Sequence, residues 1–205
     1  MRSSRTKTSR RKGATAPAAP AGREGRENRD DRHQVVIAPM RSRDVKAVLV
    51  IERAAFPEPW SHRLFTEELA QRNTRAYRAL WIGRHLVGYG GLMFVDDEAH
   101  VNSIAIDPGH QNAGLGTALF FDLVETALGR GSRHLTLEVR VGNEPAITLY
   151  RQFGLAPVGV RSGYYAGGDD ALIMWARDID SGTYRDRLDR IRRGRRPGLE
   201  VHSRW

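Results

Sequence analysis

The chain has 205 residues, enough for one domain with a real core and extensions at its ends. It contains no cysteine, which excludes disulfides, thiolate nucleophiles and cysteine-held zinc, and no apolar run of about 18 residues that could span a membrane. The net charge of +9 is uneven: residues 1–34 carry ten Lys/Arg against four acids, residues 181–205 carry eight Arg against three, and residues 35–180 are left at −2. Basic ends of this kind favour polyanions through salt-sensitive, sequence-independent attraction. The alternative is a solvated terminus with no partner.

Residues 1–34 are rich in Arg, Ser, Gly, Ala and Pro and nearly free of large apolar groups. They cannot bury enough surface to offset the entropy of ordering, so disorder is expected. The stretch has no apolar core of the secretory kind and no amphipathic face of the transit-peptide kind. Order begins with a short strand over residues 34–39. Ser42 or Asp44 can cap a helix running to Phe56, with Val45, Val48, Leu49 and Ile51 available to the core. Residues 56–61, Phe-Pro-Glu-Pro-Trp-Ser, form a rigid elbow, and Ser61 can cap a second helix carrying Leu64, Phe65 and Leu69. Strands follow over residues 76–82, 86–95 and 99–106, turned at Gly83-Arg84-His85 and Asp96-Asp97-Glu98.

Asp107-Pro108-Gly109 breaks the last of these strands, and Gln111-Asn112-Ala113-Gly114-Leu115-Gly116 opens a helix over residues 114–128 with Leu115, Leu119, Leu123 and Val124 on one face. Strand, glycine loop and helix N-terminus together make an anion site, because free backbone N–H groups and the macrodipole converge there. A plain strand–turn–helix corner would carry the same glycines. Residues 134–140 alternate as a strand, with Leu135, Leu137 and Val139 on one face and Thr136, Glu138 and Arg140 on the other. Asn143 can cap a helix bearing Ala146, Leu149, Tyr150 and Phe153, which Gly154 ends. Residues 158–165 and 171–176 read as a closing hairpin. Tyr184, Leu188 and Ile191 then fall at helical spacing in the Arg-rich end, ahead of Pro197. The order of elements gives a mixed α/β fold whose largely antiparallel sheet turns parallel near the ligand. The seven histidines lack His-x-x-x-His spacing, so no metal is implied.

The Gln-x-x-Gly-x-Gly loop after a strand ending in Asp-Pro resembles the acyl-CoA loop of GCN5-related N-acetyltransferases, the GNAT superfamily. Leu137-Glu138-Val139-Arg140, Asn143, Ala146 and Leu149-Tyr150 are similar to a run in its RimI-type branch, as are the elbow at 56–61, Arg161-Ser162-Gly163-Tyr164-Tyr165, Asp170-Ala171 and Met174. The resemblance covers about residues 35–178. It implies a central, mostly antiparallel sheet with a parallel pair at the acetyl-CoA site, flanked by about four helices. The domains expected are a basic tail at 1–34, an acetyltransferase domain at 35–180 and an Arg-rich extension at 181–205. Asn112, Ala113 and Thr117 stand where relatives often carry basic residues, which shifts pyrophosphate binding onto backbone amides, and Gly142 stands where Ser is frequent.

The activity implied is direct transfer of acetyl from acetyl-CoA to the N-terminal alanine amine of a ribosomal protein, in the cytoplasm, with no metal and no other cofactor. Coenzyme contacts are assigned to Ile104, Ala105, Ile106, Gln111, Asn112, Ala113, Gly114, Leu115, Gly116, Thr117 and Asn143. Glu138 is assigned as base and Tyr150 as donor to the departing thiolate; a solvated strand carboxylate and a packing tyrosine are their plainer readings. Glu58, Trp60, Arg161, Tyr164 and Tyr165 are assigned to the acceptor entrance, although Trp60, Tyr164 and Tyr165 also suit packing. Two other functions share these residues: acetylation of lysine side chains or a small amine, and a non-catalytic ribosome- or RNA-binding scaffold. The basic tails would meet ribosomal RNA or ribosomal proteins.

Overall fold

The computed structural model describes residues 34–195 and 200–204. The tail expected at 1–34 lies outside them, apart from Gln34. In chain order the elements are β1 (Val35–Pro39), a 3-10 turn (Ser42–Asp44) leading into α1 (Val45–Ala55), α2 (His62–Ala70), β2 (Arg75–Ile82), β3 (His85–Val95) and β4 (Glu98–Ile106). A second 3-10 turn (Pro108–His110) precedes α3 (Leu115–Gly129), β5 (His134–Arg140), α4 (Glu144–Gln152), β6 (Ala156–Arg161), β7 (Ala171–Ala176), α5 (Gly182–Arg193) and β8 (Val201–Ser203). The strands form one sheet in the order β6-β7-β5-β4-β3-β2-β1-β8, parallel at β4–β5 and β1–β8 and antiparallel elsewhere.

Period-two alternation divides the core between the two faces of the sheet. Along β2, Tyr77 and Ala79 pack with α1 and α2, among Val48, Ile51 and Phe65. Leu80 faces the other way, onto Leu115, Ala118 and Leu119 of α3. Arg78 shares that face and reaches Asp122 of α3 through two contacts of 2.5 and 3.1 Å, both groups being buried. The sequence suggests one apolar stripe on α3, but ten of its fifteen residues are buried. The reason is that α4 and α5 wrap it, through Tyr150, Phe153, Tyr184 and Leu188.

Two segments differ in detail from the sequence reading. The closing hairpin pairs only as far as Arg161 with Ala171, so Tyr164 and Tyr165 lie in the connecting loop. There Gly163 takes a φ of 60° and its N–H donates to Asp170 Oδ1 at 2.9 Å, which ends the ladder. The Arg-rich segment forms the helix that its spacing suggests, a fifth where about four were expected, capped by Ser181 Oγ accepting from Tyr184 N. Its Tyr184 and Leu188 are buried in the cluster that holds Phe120 and Phe153. Beyond it, β8 pairs with β1 from Val35–Val201 to Ile37–Ser203.

Candidate active site

The middle of the sheet opens where β4 carries one extra residue. Gly91 of β3 pairs with Ser103 and Leu92 pairs with Val101, so Asn102 is bulged out of the ladder. The parallel pairing of β4 with β5 stops at the same point, running only from Glu98–His134 to Val101–Leu137. Past the bulge β4 stays on β3 as far as Ile106, while among the described residues no strand pairs with its other edge at Ile104, Ala105 and Ile106. The splay that parallel neighbours need for an extended ligand is therefore built by the bulge.

At the end of β4, Asp107 Oδ1 accepts from Gly109 N at 2.8 Å, and Gln111 Nε2 donates to Ile106 O at 3.2 Å, tying the loop to the strand. Asn112 and Gly114 take left-handed φ values of 61° and 81°. Gly114 caps α3, whose first backbone bond runs from Ala118 N to Gly114 O, so the N–H groups of Leu115, Gly116 and Thr117 have no partner within the helix. Gly116 is not required by packing: a Cβ there would stand 3.7 Å from Leu149 and 3.9 Å from Ile106, ordinary contact distances. A glycine that the fold does not need, beside three outward amides, fits the close approach of a pyrophosphate.

A cavity of about 410 Å³ lies against this loop. Ile104, Ala105, Ile106, Gln111, Asn112, Gly114, Gly116, Thr117, Asn143 and Tyr150 of the expected set line it. Leu115 and Ala113 do not: Leu115 is 2% exposed, and both pack into the core beneath the loop, leaving only their backbone to the site. The sequence reading missed Ala55 and Phe56 at the end of α1 and Pro145, Thr148 and Gln152 on α4 as walls, along with Ala146 and Leu149, which it used only for packing. The signal for the α4 residues was present, since they share the helix and the turn spacing of Asn143 and Tyr150.

Asn143 caps α4, its Oδ1 accepting from Ala146 N at 3.3 Å. Tyr150 packs its ring on Phe120, with centroids 5.0 Å apart. Burial, with a smaller effect of neighbouring Tyr165, pushes its phenol well above the ordinary tyrosine value, so the hydroxyl stays protonated. Glu138 lies elsewhere. It is on the face of β5 opposite Leu137 and does not line the cavity. Its Oε2 stands 3.0 Å from His100 Nε2 and its Oε1 stands 3.3 Å from a guanidinium nitrogen of Arg161. His100, on the same side of β4, was not foreseen.

The acceptor-side residues separate into two groups. Arg161 covers the Tyr164 ring at 5.1 Å, Tyr164 meets Tyr165 edge-on at 5.1 Å, and Arg140 covers Tyr165 at 4.4 Å while pairing with Asp169. These join Glu138 in one cluster. On the elbow, Glu58 is exposed and Trp60 packs on Phe65 at 5.3 Å, with its backbone N–H donating to Glu52 Oε1 at 2.9 Å. Two buried relays unseen in the sequence hold the bulge. Tyr89 donates to Glu52 of α1 and lies 2.8 Å from Ser103 Oγ. Tyr77 donates to Glu68 of α2 at 2.8 Å and accepts from Asn102 Nδ2 at 2.8 Å. Burial raises both tyrosines, and it raises Glu52 against the opposing hydrogen bonds from Trp60 and Tyr89.

Among the described residues there is no cluster able to hold a metal ion, and no helix is long and apolar enough to cross a membrane. Residues 45–155 match the model of the acetyltransferase (GNAT) family. A provisionally named ribosomal protein bS18-alanine N-acetyltransferase of Bacillus subtilis is 42% identical over 137 residues, covering 66% of this chain and 91% of that protein. The ribosomal protein bS18-alanine N-acetyltransferase of Escherichia coli is 34% identical over 141 residues, covering 67% and 94%. The crystal structure of the Escherichia coli enzyme superposes with a TM-score of 0.66 at 32% identity, over 71% of this chain and 94% of that one. With the glycine loop, the bulged strand and the splay already in place, the chain belongs to the GNAT family of acetyl-CoA-dependent N-acetyltransferases, in its RimI-type branch.

Proposed function

We propose that this enzyme acetylates the N-terminal alanine amine of a ribosomal protein by direct attack on acetyl-CoA. The observation that carries the mechanism is the splay. It separates a donor cavity, with Tyr150 in its wall, from a carboxylate cluster on the opposite face of β5, and lets one amine reach both. The amides of residues 115–117 hold the pyrophosphate, and the unpaired edge at Ile104–Ile106 pairs with the pantetheine arm. An α-amine has a pKa near 8, so roughly a tenth is neutral at pH 7, against about one part in a few thousand for lysine. Glu138 takes the excess proton directly or through a water. The nitrogen lone pair then forms the C–N bond, the C–S bond breaks, and Tyr150 donates its proton to the thiolate; the nitrogen's remaining surplus proton restores the phenol.

Arg161, Tyr164, Tyr165 and Glu58 flank the acceptor's entry from the β6–β7 loop and the elbow, while Trp60 holds the elbow shut from beneath. A ribosomal acceptor places the reaction in the cytoplasm. Arg185, Arg190 and Arg193 are exposed on α5 and support a salt-sensitive attraction to ribosomal RNA.

The test is mass spectrometry of an Ala-initiated peptide incubated with enzyme and acetyl-CoA, beside an Nα-blocked Lys peptide. Addition of one acetyl group to the free α-amine alone is expected. Glu138→Gln and Tyr150→Phe should each lower kcat about 10²-fold while leaving acetyl-CoA affinity in place. Acetylation of the Lys peptide alone would replace the acceptor, and no acetylation of either would overturn the reading.

A further inference from the structure

The carboxylate assigned as base is one part of a three-residue cluster. Glu138 comes from β5, His100 from β4 and Arg161 from β6. Its two oxygens are each approached by a nitrogen, His100 Nε2 at 3.0 Å and Arg161 at 3.3 Å. A proton that Glu138 takes from an ammonium must leave before the next turnover. The carboxylate side chain is 12% exposed and that of His100 is 22% exposed, so the ring is the more solvent-accessible of the pair. Heavy atoms 3.0 Å apart are within reach for direct proton transfer.

We propose that His100 is the proton relay of Glu138: it takes up the proton that Glu138 has accepted from the amine and passes it to solvent. In balanced form, protonated Glu138 and neutral His100 become carboxylate and imidazolium through one transfer onto Nε2. The imidazolium then loses Nδ1–H to water, and exchange through solvent of the remaining Nε2 proton for one on Nδ1 restores the neutral acceptor for the next turnover. The charged groups that face the ring set the direction of this traffic. Burial pushes the imidazole below the ordinary histidine value, the Glu138 carboxylate opposes that shift, Arg161 adds to it and Glu98 opposes it. A ring that prefers to be neutral, beside a fixed guanidinium, does not retain the proton. His100 acts through Glu138, so the inference rests on the acetyltransferase reading above, and on Glu138 being its base.

Two measurements on the full chain test it. The first needs no acceptor: His100 is titrated by NMR in wild type and in Glu138→Gln. Removing the carboxylate should lower the pH at which His100 titrates, and an unchanged titration would overturn the contact and with it the relay. The second is kcat on the amine peptide that wild type acetylates. His100→Ala and His100→Gln should each lose about tenfold or more, because glutamine can hold a carboxylate but cannot carry a proton. Added imidazole should restore the alanine variant and leave the glutamine variant low. In a Glu138→Gln background His100→Ala should cost nothing further. A fully active His100→Gln, a lack of imidazole rescue or losses that multiply would each overturn the relay. Wild type that acetylates no amine would instead bring down the acetyltransferase reading, which separates the two failures.

Discussion

Gly116 separates binding from folding with a single methyl group. In Gly116→Ala the new Cβ stands 3.7 Å from Leu149 Cδ2 and 3.9 Å from Ile106 Cγ1, so the empty fold accommodates it without movement. Alanine is the better helix former by about 0.5–1 kcal/mol and restricts the unfolded chain, so the variant should be as stable as wild type or more so. For a domain of this size that is a rise of about 1–4 °C in Tm. The same methyl occupies the space in front of the free amides of Leu115, Gly116 and Thr117. Weakening one or two hydrogen bonds to a charged phosphate costs about 1.5–3 kcal/mol, an increase of roughly 10- to 100-fold in Kd for acetyl-CoA. Thermal unfolding and calorimetric titration with acetyl-CoA read the two quantities independently. Gly114→Ala is the contrasting variant, because a φ of 81° strains any L side chain by about 1–2 kcal/mol, and its Tm should fall. A Gly116→Ala protein with wild-type affinity would refute the placement of the pyrophosphate on these amides, and one that melts well below wild type would refute the packing argument.

Further outcomes follow from the buried side chains of Glu52 and Tyr184. Glu52→Ala strips acceptors from Trp60 N and Tyr89 and should lower unfolding stability by about 2–4 kcal/mol, whereas Glu52→Gln keeps an acceptor oxygen and should lose less than half of that; equal losses in urea titrations would assign the effect to volume. Burial raises the Glu52 carboxyl, so the fold binds a proton that the unfolded chain releases; wild type should gain stability relative to Glu52→Gln as pH falls through that raised value towards the ordinary 4.5. The hydroxyl of Tyr184 is buried with no hydrogen-bond partner among the described residues, so Tyr184→Phe should be neutral or stabilising by up to about 1 kcal/mol. Tyr184→Ala should cost about 3 kcal/mol, and a destabilised phenylalanine variant would show that the hydroxyl has a partner.

The local grammar of the chain determined the elements and the donor half of the site. Pro57 and Pro59, the Ser61 and Asn143 caps and the alternation of residues 134–140 act within a few residues of themselves, and each appears where the sequence places it. The loop from Gln111 to Gly116 is nearly as local, because its left-handed residues and the opening of its helix are set by adjacent sequence, with Gln111 tied back to Ile106 five residues earlier. Tertiary structure decided everything that required two distant segments to meet. The bulge at Asn102 is held by Tyr77 and Tyr89, whose partners Glu68 and Glu52 come from helices earlier in the chain. His100 and Glu138 meet because parallel pairing brings β4 beside β5. Helix α5 of the Arg-rich segment packs on the domain because Tyr184 and Leu188, one helical turn apart, bury among Phe120 and Phe153, although the charge of their neighbours set the segment apart. Periodicity and capping report the face that a residue presents, whereas proton transfer and burial depend on what arrives at that face from elsewhere in the chain.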